Sequence, residues 1–310
     1  MEYQVFIMLA STLPFTLRAQ PVQEVMIQNQ FLSAKIACTG AELTSLKDVQ
    51  SGIEYLWQGD PDHWARQSPI LFPIVGSLKD DEYIFDGNRY KLLQHGFAMN
   101  KAFRIVSQTE KGVTFSIQDD EKTLHIYPFR FELRITYELM DRVLKIGYMV
   151  INQDDKEMYF SIGGHPGFNC PLRPGEKRSD YQLVFDEKED ASIQLRAGRL
   201  RSGGSVTFLT SENAIPISEN LFDRGALIFS NLKSKSVQLK RGDDRVLTIH
   251  FEGFPNLGVW SSSATAPFIC IEPWFGMTDP VYTNKKLAEK EGIIRLPRGK
   301  EFFASYVIEL

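Results

Sequence analysis

Phe131-Glu132-Leu133-Arg134-Ile135-Thr136-Tyr137-Glu138-Leu139 alternates apolar and polar residues over nine positions without a break. A period of two puts every apolar side chain on one face of an extended strand, so this stretch predicts a half-buried antiparallel β-strand. The same alternation returns in Val113-Thr114-Phe115-Ser116-Ile117 and in Val246-Leu247-Thr248-Ile249-His250-Phe251. Asp86-Gly87-Asn88, Gln153-Asp154-Asp155-Lys156 and Arg241-Gly242-Asp243-Asp244 are loops of hairpin length, rich in residues that tolerate tight turns. Helical spacing is scarce, and Asn284 to Glu291 is the best short helix expected. Many strands, with no linker and no fixed-period repeat, predict one large antiparallel β-sandwich over residues 23–310.

Composition agrees with a packed domain. The chain has 310 residues, 43% hydrophobic and 24% charged, which excludes a disordered or collagen-like chain. Its formal charge of -4 is spread without a basic stripe, so nucleic acid is not an expected partner. Cys38, Cys170 and Cys270 lie far apart, which argues against a zinc knuckle and a disulfide framework. The apolar run Val5–Leu17 is too short to span a bilayer and has the length of a signal-peptide core, yet Glu2 stands where a basic residue is usual. Residues 1–22 therefore read as either a signal-like or an extra N-terminal segment, and the expected location is cytoplasmic, or periplasmic or exported if that segment is a signal peptide. Nothing in the sequence sets an oligomeric state.

Several segments break the alternation. Trp64-Ala65-Arg66 opens an apolar run to Gly76, in which Arg66 requires either a ligand or a place at the surface with its stem over Trp64. Gly163-Gly164-His165-Pro166-Gly167 strips side-chain bulk from both sides of one imidazole, presenting His165 to something that must approach closely. His95 lies in Gln94-His95-Gly96-Phe97; taken alone, it reads as readily as a structural histidine. In Pro267-Phe268-Ile269-Cys270-Ile271-Glu272-Pro273-Trp274 a single carboxylate sits in an apolar stretch. Burial raises such a group's pKa and makes it a stronger base; the competing reading is a salt bridge to a buried arginine such as Arg66. Trp260 and Trp274 offer flat faces for a ligand ring or for the core. No histidine pair has metal-ligand spacing, and no nucleotide-binding motif is present.

Four ordered motifs, Phe72-Pro-Ile-Val-Gly-Ser-Leu78, Gln94-His-Gly-Phe-Ala98, Gly163-Gly-His-Pro-Gly-Phe168 and Cys270-Ile-Glu-Pro-Trp-Phe-Gly276, resemble the aldose 1-epimerase (galactose mutarotase) superfamily, most closely its LacX-like branch. The resemblance runs from about Val25 to Leu310 and implies a β-supersandwich with an open sugar cleft, no metal and no organic cofactor. It implies exchange of the α and β anomers of a free aldose, with Glu272 as general base and His165 as general acid. His95 then holds the ring oxygen or a neighbouring hydroxyl, while Arg66, Asp223 and Trp260 are expected to contact substrate. Where relatives carry arginine after His-Gly-Phe-Ala, this chain has Met99, so any cation there must come from Lys101 or Arg104. That departure predicts a preference for unphosphorylated aldoses. A non-catalytic sugar-binding protein is the alternative reading, and a glycoside hydrolase ranks last because only one strong acid is found.

Overall fold

The computed structural model describes residues 23–310. The alternating stretch forms the strand Phe131–Met140, with Phe131, Leu133, Ile135, Tyr137 and Leu139 buried. Its one buried charge, Glu132, accepts from Arg134 Nε and Ser116 Oγ, both at 2.8 Å. The strand pairs antiparallel with Gly112–Gln118 on one side and Val143–Asn152 on the other. Val143–Asn152 in turn pairs with Glu301–Glu309, so the end of the chain closes onto its middle. These strands belong to a fifteen-stranded sheet running from Arg104–Gln108 at one end to Ile70–Leu71 at the other.

A second sheet is built from Glu24–Gln28, Leu32–Ala37 and Leu43–Asp48. Ile27, Leu32 and Leu43 from it share one buried cluster with Phe115, Ile135, Leu144 and Ile308 of the large sheet. Apolar faces of two antiparallel sheets packed together make the fold a large β-sandwich. Two of the expected hairpins are present. Asp86 and Gly87, at φ 49° and 74°, turn Glu82–Phe85 into Asn88–Lys91, and Gly242 turns Ser236–Arg241 into Asp244–His250.

The helix expected at Asn284–Glu291 is not formed; only Leu287–Glu289 makes a 3-10 turn. Lys285 has φ 64° and bonds Asp80 at 2.6 Å and Glu82 at 2.7 Å, while Lys290 bonds Asp279 at 2.6 Å. Tertiary ion pairs thus override a good local helix propensity. The α-helix among the described residues is Glu121–Ile126, started by a capping box between Asp120 and Thr123. The signal-like segment 1–22 lies outside the described residues. No described helix is long and apolar enough to cross a membrane.

Candidate active site

The site is organised by the strand Phe268–Phe275. Ile162–Gly164 and Gly167–Asn169 pair with it one after the other in a single register, with Gly163 opposite Trp274 and Gly167 opposite Cys270. His165 and Pro166 fall in the gap between them, so His165 stands directly opposite Glu272. On the other flank Glu272 faces Gly258 of Asn256–Trp260. The flanking glycines leave room for the large rings. A β-carbon at Gly258 would lie 2.5 Å from the Trp274 ring, one at Gly163 2.6 Å from its Cδ1, and one at Gly167 3.0 Å from the Trp64 ring.

His165 Nε2 lies 3.2 Å from Glu272 Oε2. The two are close but misaligned: Glu272 Oε2, His165 Nδ1 and Trp274 Nε1 all lack a hydrogen-bond partner within the protein. Glu272 is 1% exposed and His165 8%. The imidazole is packed between Trp64, at 4.8 Å between ring centroids, and the edge of Trp260, at 5.6 Å. Burial pushes the Glu272 carboxyl well above its ordinary pKa, against the opposing charge of the Arg196 guanidinium. Burial, with His95 adding to it, holds His165 well below the usual imidazole value. Burial thus disfavours the charged form of both groups, which favours a protonated carboxyl beside a neutral imidazole over an ion pair.

His95 stands edge-on to His165, with ring centroids 5.6 Å apart. Its backbone adopts φ 65° and is followed by Gly96 at 75°, a sharp left-handed turn that aims the ring inward. Gly76 N–H donates to Nδ1 at 3.2 Å, which leaves Nε2 as the protonated nitrogen of the neutral ring, and Nε2 meets the side-chain amide of Gln94 at 3.0 Å. Burial and the charge of Arg196 lower its pKa to about 4.

All of these groups line one open cavity of about 360 Å³. Arg66 lines it too, but its guanidinium is bonded to Glu42 Oε2 at 3.2 Å, to the Met99 carbonyl at 3.1 Å and to Asn100. Arg66 is therefore not the salt-bridge partner of Glu272. Trp260 is in the cavity wall, whereas Asp223 is exposed in a turn and does not reach the cavity. Gly225, at the end of that turn, packs against Arg196.

Sequence reasoning missed Arg196 and Arg199, which enter the cavity from the tip of the hairpin Tyr181–Ala197 and Leu200–Pro216. Met99 does line the cavity, but Lys101 and Arg104 turn away to Asp120 and Glu132. Cations thus reach the cavity by another route, which removes the premise of the expected preference for unphosphorylated sugars. Among the described residues one group of metal-ligand type is present, His165, Cys270 and Glu272, with ligand atoms within 4.8 Å of one another. Cys270 and Glu272 both have raised pKa values, burial being the main cause, so a metal would have to displace two tightly held protons.

The sequence model of the aldose 1-epimerase family matches residues 23–289. The chain belongs to the aldose 1-epimerase family. Within it, protein LacX of Lactococcus lactis subsp. lactis is 36% identical over 282 residues, covering 88% of this chain and 94% of LacX. Two solved structures are also similar. A galactose mutarotase-related enzyme from Lactobacillus acidophilus is 34% identical with a TM-score of 0.87, over 92% of this chain and 96% of that one. A galactose mutarotase-like protein from Lactobacillus casei is 32% identical with a TM-score of 0.87, over 92% and 99%. These relatives place the chain in the LacX-like branch of the aldose 1-epimerases.

Proposed function

We propose that this aldose 1-epimerase exchanges the α and β anomers of an aldose, using His165 and Glu272 as a pair that holds one proton. The observation that carries the reading is their cross-strand placement, 3.2 Å apart at the back of an open cavity with polar atoms left unpartnered. Such buried, unpaired groups cost stability and are retained where a ligand or a proton uses them.

Ring opening needs a base for the C1 hydroxyl and an acid for the ring oxygen. When sugar enters, the Glu272 proton passes to His165 Nε2 across the short gap. The carboxylate then takes the C1 hydroxyl proton while His165 gives its proton to the ring oxygen, and the bond between C1 and that oxygen breaks. One proton is taken and one given, so the pair is ready for the reverse transfer. After rotation about C1–C2 both transfers run backward in reclosure, delivering the other anomer and the ionised pair, and return of the proton from His165 to Glu272 restores the resting pair. His95, kept neutral by its low pKa, donates from Nε2 to the sugar in place of the Gln94 amide and takes no part in the proton transfers. Trp64, Trp260 and Trp274 exclude water and offer faces to the ring.

The test is exchange between the anomers of freshly dissolved α-D-glucose and α-D-galactose, followed by polarimetry or NMR. Exchange faster than in buffer supports the reading. Binding without exchange, for any aldose tried, contradicts it and favours a carbohydrate-binding protein.

A further inference from the structure

Resting on the reading of this cavity as an anomer-exchange site, we propose that its substrate is an aldose carrying an anionic substituent, a carboxylate or a phosphate, with Arg196 as the counter-charge. Three arginines line the cavity against a single carboxylate, Glu272. Two of the three are already neutralised. Arg66 is bonded to Glu42, and Arg199 Nη2 lies 3.2 Å from Asp81 Oδ2. Arg196 meets no carboxylate among the described residues; its one hydrogen bond runs from Nε to the Gly198 carbonyl at 3.3 Å.

The position of Arg196 is built. Gly225, at φ 86°, passes beneath it so closely that a β-carbon there would lie 3.2 Å from Nη1 and 3.3 Å from Cδ. A guanidinium partly withdrawn from water with no carboxylate bonded to it is an unmet positive charge in the cavity wall. Hydroxyl groups of a neutral sugar satisfy its N–H groups but not its charge. A carboxylate or phosphate does both, and the planar fork suits two parallel bonds to either.

The same charge acts on the chemistry. Arg196 disfavours protonation of His95.

Trp64, Trp260 and Trp274 line the cavity, so tryptophan fluorescence reports binding independently of turnover. D-glucose, D-galactose, D-glucuronate, D-galacturonate and D-glucose 6-phosphate are titrated into wild type, R196Q and R196K, and anomer exchange is measured in parallel. At least one acidic sugar should bind roughly thirtyfold or more tightly than its neutral parent. R196Q should bring that ratio close to one, and R196K should keep part of it. The uronate and phosphate arms identify which anion is recognised. Neutral sugars bound as well as every acidic one overturn the inference, as does R196Q weakening neutral and acidic sugars equally. Acid-selective binding that depends on Arg196, without anomer exchange on any sugar, upholds the anion site and refutes the catalytic reading instead.

Discussion

His165 and Glu272 face each other across two adjacent strands, Nε2 to Oε2 at 3.2 Å, yet form no aligned hydrogen bond. Aligned, they would spend their polarity on each other. Misaligned, each keeps an atom for a third party, and the cost of burying both falls on the fold.

That cost predicts the stability of Glu272→Gln. Burial raises the folded-state pKa of Glu272 above its unfolded value, so ionisation of the unfolded chain penalises folding progressively as pH rises above the ordinary carboxylate range. The amide has no such penalty. The variant should be more stable than wild type by about 0.5–2 kcal/mol at neutral pH. The gain should grow between pH 5 and pH 8 in urea denaturation, and a variant less stable at both values contradicts the account.

Acid acts through the histidines with the opposite sign. His95 and His165 have folded-state pKa values below the unfolded one, so their contribution is complete above about 6.5 and is lost as pH falls toward the folded values, about 4 for His95. Wild type should lose stability from pH 6.5 downward. His165→Asn should flatten that slope, as read from denaturation midpoints at half-unit steps. An unchanged slope would mean that His165 takes up its proton as readily in the folded protein as in the unfolded chain.

Gly258→Ala tests the placement of Trp274. An added β-carbon would meet the indole at 2.5 Å, forcing the ring away from Glu272. Overpacking of this kind costs about 1–3 kcal/mol of stability. Anomer exchange should fall by more than the folded fraction does, measured on the same sample by rate and circular dichroism. A rate that tracks the folded fraction alone removes the indole from the mechanism.

Chelation should leave the rate unchanged. Cys270 and Glu272 hold their protons, and the acid–base scheme needs one proton and no Lewis acid. The rate is compared before and after exhaustive EDTA dialysis, with metal content checked in parallel. Activity lost and then restored by zinc would make His165, Cys270 and Glu272 ligands.

The fold was legible because alternation over Phe131–Leu139 is a local pattern with one physical solution. His165 and Glu272 were legible for a similar reason, since glycine and proline around one and apolar residues around the other mark them within a few positions. Arg196 was not. Its segment reads as an ordinary polar hairpin, and only the pairing of Tyr181–Ala197 with Leu200–Pro216 brings its tip to the cavity. Arg66 misled in the same way, because its partner Glu42 lies 24 positions earlier. The helix at Glu121–Ile126 had a readable start in Asp120 and Thr123, but at six residues it carried too little periodicity to register.

The central claim is that one proton, shared by His165 and Glu272, moves the sugar between its anomers. NMR exchange spectroscopy on an aldose that the wild-type protein turns over measures that directly for Glu272→Gln and His165→Asn. Each variant should retain its fold and its sugar binding while anomer exchange falls roughly a hundredfold or more. Near wild-type exchange in either variant would contradict the account.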